Sequence, residues 1–210
     1  MRLPVIVDKG NLRCPSSNLF QCPATILPIM KVLGIVAGPR KAGHTAKLVE
    51  ETLKGAEEAG HETVLFYLSD LEIKPLDDAE DGYSYPKDGF TELMPHIESM
   101  GALVLGTPIY YDHVSSRAKL FIDRLYYYSG SHGEEYRAKF PDGVKFVNAV
   151  TCGWDRADVY GEVVKWLNGR MTNYWKMRIH GSLKAHGTGN NPVIENEKLL
   201  KKARELGKSL

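Results

Sequence analysis

Hydrophobic and polar positions change their period twice between Lys31 and Gly60. Lys31-Val-Leu-Gly-Ile-Val36 is apolar and rich in β-branched residues, the pattern of a buried strand. Ala37-Gly-Pro-Arg-Lys-Ala-Gly43 carries the glycines, proline and cations of a loop. From His44 onward Val49, Leu53, Ala56 and Gly60 recur on one helical face, with Lys47, Glu50, Glu51, Lys54, Glu57 and Glu58 on the other. Further apolar runs predict strands at 62–68, 101–106, 144–150 and 177–183. Helices are expected over 90–99, where Pro95 interrupts the period, and from Ser115, a residue suited to N-capping, through Leu120, Phe121 and Leu125. Another is expected over 158–172, with Val159, Val163, Trp166 and Leu167 inward. The last should follow Asn191-Pro192, a cap and a first-turn proline. Strands alternating with helices predict an α/β, doubly wound fold whose parallel sheet is covered on both faces.

Two stretches break the pattern. Residues 1–29 show no period and are interrupted by prolines, and they make a poor secretory signal because no uninterrupted apolar core follows Arg2. They are expected to be a poorly structured extension, with the domain proper at 30–210. Residues 69–89 are rich in Asp, Pro, Gly and Tyr and should form a long surface connection. No internal repeat or low-complexity tract occurs.

Composition narrows the possibilities. The 210 residues are enough for one domain with a substantial core, at 43% hydrophobic and 25% charged. A formal charge of +1 gives no electrostatic reason to expect a nucleic acid or an anionic membrane as partner. No apolar run approaches the roughly 20 residues that span a bilayer. Three cysteines (Cys14, Cys22 and Cys152) make no disulfide framework, so a reduced, cytoplasmic setting is expected. The Cys14/Cys22 spacing is not C-x-x-C, and the seven histidines show no H-x-x-x-H pair, so no metal site is expected.

In a doubly wound sheet, ligands sit beyond the carboxyl ends of the strands, at the switch point. Three loops converge there: 37–43, 107–114 and 151–157. The first leads into a helix N-terminus, whose free amides and dipole favour a phosphate. The second offers Pro108, Tyr110 and Tyr111, and the third Gly153 and Trp154. A phosphate cradle beside two aromatic-bearing loops suits a flat ring on a phosphate tail. Gly38 to Thr45 approaches the spacing G-x-x-x-x-G-K-[ST], but His44 replaces the lysine that meets the β/γ phosphates, and the third strand ends in Gly106-Thr107 without a magnesium-holding aspartate. The dinucleotide fingerprint G-x-G-x-x-G is absent, as is the G-x-S-x-G elbow of serine hydrolases.

These residues resemble the flavodoxin-like NADPH-dependent FMN reductases, closest to the iron–sulfur flavoprotein branch. The resemblance rests on Lys31-Val-Leu-Gly-Ile35, Pro39-Arg40-Lys41, Gly43, Thr45-Ala-Lys-Leu-Val49, Gly106-Thr-Pro-Ile-Tyr-Tyr111 and Leu120-Phe-Ile-Asp-Arg124. It implies a five-stranded parallel sheet in the order 2-1-3-4-5. It also implies that Gly38, Pro39, Arg40, His44, Thr45 and the loop amides hold the phosphate of FMN, with Thr107, Pro108, Ile109, Tyr110, Tyr111, Thr151, Cys152, Gly153 and Trp154 bordering its ring. The activity implied is electron transfer from NAD(P)H through FMN to a quinone, flavin or protein acceptor, by a homodimer or homotetramer. Catalysis would rest on the cofactor and on no obligatory side-chain acid or base. The chain departs from the family pattern at Ala37-Gly38, where Gly-Ser is usual, and at His44, where Asn is usual. The iron–sulfur branch has a compact cysteine motif after its second strand; residues 73–89 contain no cysteine, so no cluster is expected. An electron carrier without NAD(P)H activity, or an interaction domain that has lost FMN, are the alternatives.

Several single residues have a plainer reading. Cys152 is expected to be a packing residue, Asp112 and His113 an exposed polar pair, and Tyr126-Tyr-Tyr128 part of an interface or the core. Lys198, Lys201, Lys202 and Arg204 should form the solvated face of the last helix.

Overall fold

A computed structural model describes residues 28–76, 87–155 and 157–210. The expected extension therefore lies outside the described residues except for Pro28 and Ile29, and so does the centre of the 69–89 connection. Strands β1 (Lys31–Val36), β2 (Glu62–Tyr67), β3 (Ala102–Tyr110), β5 (Lys145–Thr151) and β6 (Arg178–Ala185) form a parallel sheet in the order β2-β1-β3-β5-β6. That is the expected order. A two-residue strand, β4 (His113–Val114), adds an antiparallel hairpin to the end of β3.

Alternation along the strands sends Leu33, Ile35, Leu103, Leu105 and Phe146 to one face, and Val32, Val104, Val147 and Ala149 to the other. The first face is covered by α2 (Phe90–Ile97), α3 (Ser116–Arg124) and α5 (Ala157–Trp175), the second by α1 (His44–Glu58) and α6 (Glu197–Lys208). A short α4 (Glu134–Ala138) lies between α3 and β5. Tyr127 and Tyr128 are buried in the first core.

Helices α1 and α6 meet backbone to backbone. A Cβ on Gly55 would stand 1.9 Å from the Arg204 carbonyl oxygen, and one on Gly207 the same distance from that of Thr52. Only glycine permits this approach. It also corrects two expectations. Glu51, assigned by period to the solvated face, is buried, and Arg204 reaches across to it with Nη2 at 2.6 Å. Burial alone would push the Glu51 carboxyl up, but hydrogen bonds from Arg204, Lys54 and Lys47 outweigh it and hold the group at about 2. The start of α6 also differs. Pro192 precedes a single 3-10 turn, Val193–Glu195, and the helix begins after Asn196, whose side chain accepts from the Leu199 amide.

A second buried pair holds the described ends of the 69–89 connection. Arg124 Nη1 lies 2.5 Å from Asp88 Oδ2 and donates to the Lys74 carbonyl, while Asp88 accepts from the amides of Lys74 and Phe90. The guanidinium also lies 5.1 Å from the Phe90 ring centroid.

Candidate functional site

At the carboxyl ends of β1, β3, β5 and β6 lies a cleft of about 490 Å³ lined by Gly38, Pro39, Arg40, Gly43, His44, Thr45, Pro108, Ile109, Tyr110, Thr151, Cys152, Gly153, Thr188, Gly189 and Pro192. The sheet order itself places it there, because β1 and β3 lead away in opposite directions.

One end is the N-terminus of α1. Its N-cap, Gly43, has no side chain to satisfy the first-turn amides, and no acidic residue lies in that turn. Lys47 is the first residue whose amide finds a partner within the helix, at the Gly43 carbonyl. Helix α3, on the other face of the sheet, shows the contrast: the Ser115 hydroxyl caps the Ala118 amide and itself donates to the Ala37 carbonyl. Arg40 is the cation that lines the cleft, whereas Lys41 turns outward to Asp70 at 2.8 Å. His44 Nδ1 accepts from the Val193 amide at 3.3 Å. Thr45 and Thr151 share a buried hydroxyl–hydroxyl bond of 2.6 Å, tying α1 to the end of β5.

The other end is built by the loop after β5. Trp154 donates its amide to Cys152 Sγ, and the buried Tyr160 phenol donates to the Trp154 carbonyl at 2.8 Å. Burial, together with the adjacent Cys152 thiol, holds the Tyr160 phenol above its ordinary range. The segment after β6 clasps this loop. Gly187 donates to the Trp154 carbonyl, Thr188 donates both amide and hydroxyl to the Cys152 carbonyl, and His186 pairs with Asp155 at 2.5 Å.

Three of the residues expected around the ring stand outside the lining. Thr107 is fully buried and serves the scaffold, its hydroxyl accepting from the Ser115 amide and donating to the Pro108 carbonyl. Tyr111 and Trp154 are exposed at 104% and 69%, beside the half-exposed Tyr110. Tyr111 and Asp112 form the tight turn between β3 and β4, with φ of 47° and 61°, where a loop of eight residues was expected. His113 packs its ring edge-on against Trp166. The post-β6 residues Thr188, Gly189 and Pro192 join the lining beyond the three loops that the sequence singles out. Their signal was the turn-rich run Gly187-Thr-Gly-Asn-Asn-Pro192 following the last strand.

Among the described residues no helix is long and apolar enough to cross a membrane, and no group of His, Cys, Asp or Glu could hold a metal ion. Comparison with known proteins points to one family. The chain is 29% identical over 185 residues to an iron–sulfur flavoprotein of Archaeoglobus fulgidus, covering 86% of this chain and 79% of that one. It is 26% identical over 186 residues to YwqN of Bacillus subtilis, named as a candidate NAD(P)H-dependent FMN-containing oxidoreductase, covering 84% and 96%. Among solved structures, the NAD(P)H:quinone oxidoreductase from Methanothermobacter marburgensis superposes with a TM-score of 0.64 at 20% identity, covering 87% and 96%. The family profile of NADPH-dependent FMN reductases matches residues 30–144, more than half of the chain, and the protein therefore belongs to that family.

Proposed function

We propose that the cleft binds FMN, with the phosphate at the α1 N-terminus and the ring between the β3 and β5 loops, and that the protein passes electrons from NAD(P)H to a quinone, flavin or protein acceptor. The observation that carries this reading is the uncapped N-terminus of α1 at one end of a cleft whose opposite wall is a hydrogen-bonded loop. The donor set fits the group. Free amides, Arg40, His44 and Thr45 offer donors to a phosphate, and a Cβ on Gly153 would enter open space. Gly38 likewise leaves room, its nearest neighbours being Thr45 and Pro108 at 3.6 Å or more from an added Cβ.

When bound, FMN supplies hydride acceptance and electron return to the acceptor. The chain's own residues bind and orient. Arg40 and the α1 amides neutralise the phosphate, and the Thr45–Thr151 bond keeps that end in register with the ring-side loop. The Cys152–Trp154 loop, fixed by Tyr160 and Thr188, offers the Gly153 backbone amide at the ring, the Cys152 and Trp154 amides being bonded to the Ala185 carbonyl and to Cys152 Sγ. The exposed Tyr110, Tyr111 and Trp154 at the rim suit a second subunit that covers the ring, and a homodimer or homotetramer in the cytoplasm is the assembly proposed. Mixing FMN-loaded protein with NADPH without oxygen tests the activity. Rapid loss of the yellow flavin colour is expected. Persistent colour would favour an electron carrier, and absence of any flavin binding would contradict the reading.

A further inference from the structure

The segment between β6 and α6 lies beyond the residues matched by the family profile, yet it closes the cleft. Val193 opens the 3-10 turn, and its amide, like every first-turn amide, has no partner within the turn. It donates to His44 Nδ1 instead. A ring nitrogen that accepts an N–H keeps its lone pair, so the proton of the neutral imidazole resides on Nε2. A phosphate monoester presents acceptors. The ring is useful to it only as a donor, and only if that donor is held in place.

We infer that Val193 is a positioning residue for phosphate: its backbone amide fixes His44 as the Nε2–H tautomer and makes the ring a dedicated donor at the α1 N-terminus. The same segment bonds the Cys152 and Trp154 carbonyls through Thr188 and Gly187, so one stretch of chain sets both ends of the cleft. Without the Val193 amide, two tautomers compete and the ring is free to turn, so only a fraction of molecules presents the donor. The inference rests on the proposal that the cleft holds FMN, and it adds what distinguishes a phosphorylated flavin from an unphosphorylated one.

The test compares dissociation constants for FMN and for riboflavin, which lacks the phosphate, in wild type, Val193→Pro, Val193→Ala, His44→Ala and the double variant Val193→Pro/His44→Ala. Proline removes the amide hydrogen with little backbone change. A first-turn position takes its φ, and Pro192 already has the extended ψ of 136° that a residue before proline adopts. Val193 is buried, so Val193→Ala, which keeps the amide, sets the baseline for lost side-chain packing. His44→Ala should weaken FMN by about tenfold or more. Val193→Pro should weaken it about threefold relative to Val193→Ala, the cost of reducing the competent fraction to roughly a third. In the His44→Ala background, Val193→Pro should add nothing beyond the loss that Val193→Ala causes; riboflavin should bind Val193→Pro and Val193→Ala alike and should not respond to His44→Ala. Side-chain ¹⁵N resonances of His44 should show the proton on Nε2 in wild type and a mixture in Val193→Pro. Additive losses, equal losses for riboflavin, or an Nδ1–H tautomer in wild type would overturn the positioning role. Failure of wild type to bind either flavin would instead overturn the reading of the cleft itself.

Discussion

The two ends of helix α1 are built to opposite rules. Toward its C-terminus, polar and steric demands are met: Glu51 is held by Arg204, Lys47 and Lys54, Glu58 pairs with Arg204 and Lys208, and glycines at 55 and 207 let α6 lie against the backbone. At its N-terminus the cap is a glycine, no acid occupies the first turn, and the amides are left open to the cleft. A helix can leave donors unsatisfied at one end only if it is anchored elsewhere. The contrast fits the proposed function: on that reading the open end meets the ligand, and the packed end keeps the helix in place while it does.

Breaking the packed end should have the largest effect. Gly55→Ala forces a methyl group into the Arg204 carbonyl and should cost about 3 kcal/mol of stability by denaturant unfolding. Gly161→Ala, where the helix surface is open, should instead gain about 0.5–1 kcal/mol. Equal responses at the two sites would remove the basis for calling that contact close.

Closing the open end comes next. His44→Asp supplies the missing acid in the first turn, which favours the helix but repels a phosphate. FMN affinity should fall by about a hundredfold, while the stability of the flavin-free protein should change by less than about 1 kcal/mol. A parallel loss of both would mean that His44 serves packing alone.

Acid should separate the ends further. The Glu51 carboxyl, at about 2, lies below its unfolded value, so its contribution is complete above about pH 4.5 and is lost as pH falls toward 2. With the half-exposed Lys54 and the partly exposed Arg204 among its partners, that contribution is about 2 kcal/mol. Glu51→Gln should flatten the stability profile across this window, and an unaltered acid slope would contradict the assignment.

The smallest effect sharpens the open end. Gly38→Ser places a hydroxyl beside Thr45 with no steric conflict and should tighten FMN binding by a factor of about three to ten. No change, or a loss, would show that the phosphate lies elsewhere along the loop.

Much of this organisation was legible in the sequence because it depends on local period. The strand–loop–helix at 31–60, the capping Ser115 and the three converging loops all follow from neighbouring residues. What was not legible depends on partners distant in sequence. Glu51 reads as a surface residue until Arg204 and the glycine crossing of α6 bring it inside. The tight turn at Tyr111-Asp112 has positive φ at two residues without the usual Asn-Gly signal, so the extension of β3 through Tyr110 reads as loop in the sequence. The segment at 186–193 becomes part of the cleft only because β6 lies beside β5, a fact of sheet order rather than of its own residues. Asn191-Pro192 carries a helix-start signature but introduces a single 3-10 turn, and the true cap is five residues beyond Asn191 at Asn196.

If α1 presents its open N-terminus to the phosphate of a flavin, that phosphate should govern affinity. Titration of the flavin-free wild-type protein with FMN and with riboflavin, followed by quenching of flavin fluorescence, measures its contribution. The phosphate contacts should make FMN bind at least about a hundredfold more tightly than riboflavin. Equal affinities for the two flavins, or no quenching by FMN, would contradict it.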